Sequence, residues 1–268
     1  MKNKINNSIV LIPHFNNFSG LLKSISSIGI NENIDVLIID DGSNKNTINE
    51  AKIKDRFKGF GNIYFKYLLK NRGIEHALNV GLKFIIKNKY KYTARLDCDD
   101  ICLNRRFYKQ KQFLTNNPEI KLIGSNVIFK DTKGNTLYKL NLPEKHNDIK
   151  KKMYLNAMII HPTIMFCTSI LNKTGLYPTG FKAAEDYAFL FNVIKYFKVA
   201  NLNEYLVICE INAKGISILN RRKQVKSRID IILKNFYFGI YPIFGLLRSL
   251  ILYITPVSMI LFVKKKIK

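Results

Sequence analysis

The chain has 268 residues, 47% of them hydrophobic, enough apolar material for one large or two modest domains and against wholesale disorder. Lys and Arg number 44 against 19 Asp and Glu, a formal net charge of +25 that attracts polyanions: anionic lipid, nucleic acid or phosphorylated substrates. The basic residues are scattered, with no aromatic-spaced RNA-binding pattern, no paired Cys/His finger and no fixed-period repeat, so no nucleic-acid partner is expected and solenoids and propellers are excluded.

Met1-Lys2-Asn3-Lys4 leads directly into a strand-like run with no secretory signal, and Cys98, Cys102, Cys167 and Cys209 form no CxxC pair. Free thiols in a reducing cytoplasm are the expectation. Ile9-Val10-Leu11-Ile12 is a short apolar strand stopped at Pro13, and Leu21, Leu22, Ile25 and Ile28 then recur at helical spacing. Val36-Leu37-Ile38-Ile39 predicts a second buried strand ending in Asp40-Asp41-Gly42-Ser43, and residues 63–68 a third. Ile74, Ala77, Leu78, Leu82, Ile85 and Ile86 form a helical stripe after Gly73. Residues 92–96 lead into Asp97-Cys98-Asp99-Asp100. Continuous apolar strands alternating with amphipathic helices predict an α/β fold on a mostly parallel, Rossmann-like sheet flanked by helices. In such sheets ligands bind beyond the carboxyl ends of the strands, and four strand ends here carry polar chemistry.

Residues 104–113 read as a basic amphipathic helix stopped near Pro118, and residues 121–129 and 136–140 flank the hairpin signal Asp131-Thr132-Lys133-Gly134-Asn135. His161-Pro162-Thr163 precedes the apolar Ile164-Met165-Phe166, residues 175–180 are loop, and Glu185-Asp186 opens a helix through Phe197. Between residues 236 and 263 the only charge is Arg248, but Gly239, Pro242, Gly245 and Pro256 interrupt the run, so no clean span of about 20 apolar residues exists. Leu250-Ile251-Leu252-Tyr253 and Met259-Ile260-Leu261-Phe262-Val263, followed by Lys264-Lys265-Lys266, predict interfacial segments held by anionic lipid.

Three carboxylates within residues 97–100 raise one another's pKa and need a cation, a fixed set of hydroxyls or full exposure to water. Hard cations such as Mg²⁺ and Mn²⁺ take oxygen ligands and bridge phosphates, so an Asp-x-Asp turn suits a metal diphosphate.

Read in order, the stretches 9–16, 37–43 (LIIDDGS), 71–74 with 77–82, 94–100, 161–166 and Glu185-Asp186-Tyr187 resemble the inverting bacterial glycosyltransferases of family 2, with the GT-A fold, over about residues 8–212. Within that family the chain looks most like enzymes of lipooligosaccharide, capsular and O-antigen synthesis. The resemblance implies a GT-A domain at 1–212, with a nucleotide-sugar-binding half (about 1–103) and an acceptor and catalytic half (104–212). Residues 213–268 then form a helical, basic and apolar, membrane-associating extension. It further implies transfer of a single sugar from a nucleotide-diphosphate donor, a UDP-sugar, to a hydroxyl of a lipid-linked or oligosaccharide acceptor. The setting would be the inner face of the cytoplasmic membrane.

By resemblance, Pro13 and Phe15 line the nucleobase pocket, Asp41 binds the base, and Asn71, Gly73 and Asn79 shape the donor pocket. Asp97 faces ribose or diphosphate and shares Mn²⁺ or Mg²⁺ with Asp99, the principal metal ligand. Arg95 pairs either with phosphate or with the acidic cluster itself. Asp186 is the general base that takes the acceptor's proton. His161, Glu185 and Asp100 are secondary candidates: His161 is either near the donor phosphates or a packed turn residue, and Glu185 orients the base or binds acceptor. The Q-x-x-R-W element of processive synthases is missing and the chain has no tryptophan, in keeping with one addition per event.

Two other readings fit less. A sugar nucleotidyltransferase needs a glycine-rich basic loop where Pro13-His14-Phe15-Asn16-Asn17 stands. A non-catalytic protein binding anionic membrane or nucleic acid accounts for the charge but leaves the ordered acidic motifs without cause.

Overall fold

The computed structural model describes residues 6–211 and 220–255. The expectations on residues 1–4, on the boundary at 212/213 and on the segment 259–266 fall outside those described residues.

Strands β1 (Ser8–His14) and β2 (Asp35–Asp40) are buried along almost their whole length, which is why their sequences are continuous apolar runs rather than alternating ones. Both pair in parallel, and β3 (Ile63–Tyr67) extends the sheet beyond β2. The chain then returns to the other side of β1, where β4 (Tyr92–Arg95) also pairs in parallel. The strand order therefore reverses between β1 and β4. At such a switch point the connections leave in opposite directions and open a crevice beyond the strand ends. His14, the residues after it, and the acidic turn after Arg95 all stand at that crevice.

Past β4 the sheet changes character: β5 (Ile101–Cys102), β6 (Ile120–Asp131), β8 (Met165–Cys167) and β9 (Lys198–Ile211) complete the order β3-β2-β1-β4-β8-β6-β9-β5, with β7 (Thr136–Leu140) on the edge of β6. Strand β8 is antiparallel to both β4 and β6, and β9 runs parallel to β6 and antiparallel to the two-residue β5. The sheet is thus mixed rather than mostly parallel. The parallel pattern belongs to the first hundred residues, where helices provide the crossovers, while the 131–135 turn closes an antiparallel hairpin instead.

Alternate residues of β1 feed the two sides of the sheet. Ile9 and Leu11 pack with α3 (Ile74–Lys87) and α7 (Glu185–Tyr196); Val10 and Ile12 pack with α1 (Phe18–Ser26), α2 (Glu50–Arg56) and α4 (Arg106–Asn116). Short helices α5 (His146–Lys152) and α6 (Leu171–Thr174) complete the second half. The C-terminal segment forms two packed helices, α8 (Arg221–Lys234) and α9 (Ile240–Ile254). Helix α9 continues through Pro242, because proline in a first turn forfeits no intrahelical hydrogen bond.

Candidate active site

At the end of β1, the buried His14 ring accepts the Asn17 N–H at its Nε2 (3.2 Å), so Nδ1 carries the proton and faces Asp40 at 3.4 Å. Burial pulls its pKa down, leaving a neutral ring that ties the first strand end to the second. The next residue, Asp41, is buried and its two carboxylate oxygens accept the N–H groups of Arg72 (3.0 Å) and Gly73 (2.9 Å). Gly73 has φ +99°, a conformation other residues adopt only with strain, and it opens α3. Asp41 therefore fixes the loop that carries the exposed Asn71. Beside it, Pro13 is half-buried and the Phe15 ring is 46% exposed, an uncovered aromatic surface at the crevice.

The acidic cluster is a turn closed by the Asp100 N–H on the Asp97 carbonyl (3.2 Å), with Asp99 at φ +76°. This turn gives its three carboxylates different partners. Asp97 remains partly exposed and pairs with the fully buried Arg95, whose Nη1 also donates to the carbonyls of Leu11 (2.5 Å) and Leu96 (3.2 Å). Arg95 thus pairs with the acidic cluster. Asp99 accepts the Asn17 side-chain amide at 2.6 Å, while Asn17 Oδ1 caps α1 through the Gly20 N–H (3.1 Å). Asp100 turns inward: it is buried, accepts the Glu210 N–H at 3.1 Å, and is pushed well above the usual carboxylate range by burial and by Asp97. Its role is to bind the turn to β9.

Behind the turn, the fully buried Arg106 of α4 donates to the carbonyls of Arg95 (2.7 Å) and Ile164 (3.3 Å), and Gln110 donates to that of Thr163 (2.6 Å). A helix that reads only as basic and amphipathic is thereby a clamp on the strand end and on the 161–164 turn.

The third acidic station is the start of α7. Asp186 Oδ1 accepts the N–H of Tyr187 at 2.6 Å. Burial raises the Asp186 pKa, the Tyr187 N–H and Arg228 oppose the rise, and Asp97 adds to it. Glu185 is pushed up to about 7 by burial, then by Asp186, Glu75 and Asp97. Asp97, Glu185 and Asp186, far apart in sequence, consequently share one electrostatic neighbourhood. A chain of net charge +25 has gathered carboxylates at one crevice.

His161 and Asn79 support this station from below. His161 Nε2 lies 2.7 Å from the Tyr177 hydroxyl, and burial beside Arg95 pushes its pKa down to about 3, so the ring is neutral at working pH. Asn79 grips the backbone of Tyr177 from both sides, donating to its carbonyl and accepting its N–H, each at 2.8 Å. Its side-chain amide is committed to the Tyr177 loop. Tyr177 and Asn17 escape sequence reasoning: the first lies in an aperiodic loop between glycines. The second carries a signal that was available, an Asn between a strand and an apolar helix.

The family model for glycosyl transferase family 2 matches residues 9–175. The chain belongs to glycosyl transferase family 2. It is 32% identical over 168 residues to the amylovoran biosynthesis glycosyltransferase AmsE of Erwinia amylovora, covering 61% of this chain and 60% of that protein. The chain spans 33%, 60% and 64% of the length of three curated relatives it matches. Among solved structures, S. aureus TarS 1-349 in complex with UDP-GlcNAc has a TM-score of 0.66 at 16% identity, covering 92% of this chain and 72% of that one. Mannosyltransferase PcManGT from Pyrobaculum calidifontis, in complex with GDP-Man and Mn²⁺, has a TM-score of 0.63 at 13% identity, covering 94% and 71%. The fold is GT-A.

For this family 2 site a metal has two carboxylates of the right chemistry, Asp97 and Asp99, both partly exposed. No three His, Cys, Asp or Glu side chains converge as a cage among the described residues. Two carboxylates fit a hard dication only when substrate phosphates and water complete its oxygen shell, which is how Mg²⁺ is ordinarily held.

Proposed function

We propose that the chain is an inverting glycosyltransferase that moves one sugar from a UDP-sugar to a hydroxyl of a lipid-linked or oligosaccharide acceptor in surface-polysaccharide synthesis. The observation that carries this reading is the position of Asp97. It sits at the β1/β4 switch point and shares its field with the Glu185-Asp186 turn. Phe15 and Pro13 form the apolar side of the base site, and Asp41 keeps free lone pairs beyond its two backbone bonds for the base. Arg95 acts through Asp97, which it holds in place. Asp186 accepts the acceptor's hydroxyl proton as that oxygen bonds to the anomeric carbon and the bond to the diphosphate oxygen breaks on the opposite face. When bound, Mn²⁺ or Mg²⁺ would be held by Asp97 and Asp99 and would offset the charge of the leaving diphosphate. The UDP-GlcNAc complex of TarS and the Mn²⁺ complex of PcManGT support the donor and metal classes.

The test is a panel of UDP-glucose, UDP-galactose, UDP-N-acetylglucosamine, UDP-N-acetylgalactosamine and GDP-mannose with Mn²⁺ or Mg²⁺, read by thermal stabilisation and donor hydrolysis. At least one UDP-sugar should bind in a metal-dependent way, and Asp97→Asn should abolish it. A folded protein that responds to GDP-mannose alone would overturn the UDP assignment, and one that responds to no nucleotide sugar would overturn the enzyme reading.

The same reading puts the protein on the cytoplasmic face of an anionic membrane, attached through α9. Among the described residues no helix is long and apolar enough to cross a membrane. Helix α9 is amphipathic in an inverted sense: Pro242, Gly245 and Ser249 face the protein, while Ile240, Phe244, Leu247, Ile251 and Ile254 face outward. A Cβ on Gly245 would lie 2.3 Å from the Tyr154 carbonyl oxygen, so small residues are what let this helix dock. Next to it, α8 carries Arg221, Arg222, Lys223, Lys226 and Lys234 against a single Asp230, the charge that anionic lipid complements.

A further inference from the structure

We infer that α8 is part of the transfer site, with Arg228 as a positioning residue that, together with Ser227, holds the turn carrying Asp186; the inference rests on reading Asp186 as the general base. Helix α8 lies outside the family-matched stretch 9–175, in the segment that the sequence offers only as a membrane-associating extension.

Two neighbouring side chains of α8 reach the same turn. The buried Ser227 hydroxyl donates to the Lys182 carbonyl at 3.0 Å. The residue after Lys182, Ala183, has φ +58°, a left-handed conformation that a residue with a Cβ keeps only where its surroundings hold it. The Arg228 guanidinium lies over the Tyr187 ring, 4.6 Å from its centroid, and Nη2 donates to Asn156 Oδ1 at 3.2 Å. Its Nε is buried with no hydrogen-bond partner among the described residues. The chain is therefore pinned on both sides of Asp186, at Lys182 before it and Tyr187 after it.

The charged and titratable groups acting on Asp186 are Asp97 from the end of β4 and Arg228 from α8, with Glu185 beside it and Tyr177 facing it. Burial and then the charge of Arg228 pull the pKa of Arg248 of α9 down, so the two cations share a neighbourhood. Arg228 thus supplies positive charge to a base otherwise flanked by carboxylates. A base displaced by about 1 Å from its acceptor hydroxyl loses on the order of 100-fold in rate.

The experiment follows hydrolysis of the UDP-sugar that responds in the panel above, where water takes the acceptor's place. Arg228→Ala is expected to lower kcat by about 10- to 100-fold with the donor KM unchanged. Millimolar guanidinium should restore part of that turnover, as should Arg228→Lys. Should Arg228→Ala fail to fold, Ser227→Ala and Arg228→Lys are measured instead, and at least one must lower kcat at unchanged donor KM. Wild-type kcat in a folded Arg228→Ala, or a change confined to donor KM, would overturn the inference. Asp186→Asn runs alongside: an active Asp186→Asn removes the base reading, whereas an inactive one beside a normal Arg228→Ala removes the role of α8 alone.

Discussion

Glu185 shows how much one half-buried carboxyl responds to its surroundings. Its ordinary value of 4.5 rises to about 7 because burial and three neighbouring carboxylates disfavour its charge. The folded-state pKa lies above the unfolded one, so the unfolded chain sheds this proton first. Stability is unaffected below the ordinary Glu range, falls as pH rises from there toward 7, and stays lower above. Glu185→Gln removes a charge that the fold tolerates poorly. It should match the wild type in thermal stability near pH 4.5 and exceed it at pH 8 by on the order of 1–2 kcal/mol, after allowance for solvent screening. Melting curves at the two pH values check this, and a variant no more stable at pH 8 than the wild type would show that the shift is absent.

At the scale of elements, the first turn of α1 links helix capping to the acidic turn. Asn17 caps the helix with Oδ1 and holds Asp99 with Nδ2, and the Asp99 N–H returns to the Gly20 carbonyl at 3.1 Å. A Cβ at Gly20 would stand 2.3 Å from Asp99 Oδ1 and 2.4 Å from Asn17 Nδ2, so Gly20→Ala must displace both side chains. The expected result is at least a tenfold loss of Mn²⁺-dependent donor hydrolysis with only the ~1 kcal/mol destabilisation of a weakened cap. Titration of metal against hydrolysis rate checks it; an unchanged metal requirement would free Asp99 from its assigned part.

What the sequence makes legible follows the same division. Strands β1 and β2 and helices α1 and α3 are readable because full burial writes apolar runs and 3.6-residue stripes. Strand β9 is not, since it alternates little, and α8, expected only as part of a helical extension, mixes charges over an apolar face of few residues that does not reveal what it packs against. Asp41, Asp97 and Asp186 stand out as motif residues, but which way each carboxylate points depends on the turn. Asp97 and Asp100 are separated in the sequence only through the family resemblance, whereas the turn itself leaves Asp97 partly exposed and folds Asp100 inward onto β9.

For the whole molecule, the +25 charge and the inverted face of α9 have a common physical consequence. Phe238 is 95% exposed and Ile254 75%, and the stripe between them extends over the length of α9. Water-facing residues of this kind are unfavourable unless something apolar covers them. Lipid does so without demanding a matching shape, and each basic residue near an anionic surface adds about 1 kcal/mol. The protein should therefore bind vesicles containing phosphatidylglycerol and not vesicles of phosphatidylcholine alone. Binding should weaken but persist as salt rises, because screening removes the electrostatic part and leaves the apolar part. The double variant Phe244→Lys with Ile251→Lys should lose the salt-resistant part of vesicle binding while donor hydrolysis in solution is kept, since both side chains are exposed on the outer face of α9. Co-sedimentation and analytical ultracentrifugation on the same samples separate the two ways of covering this face. A dimer that the double variant converts to monomer, with no vesicle binding by the wild type, would assign the face to a second copy of the chain instead of to lipid.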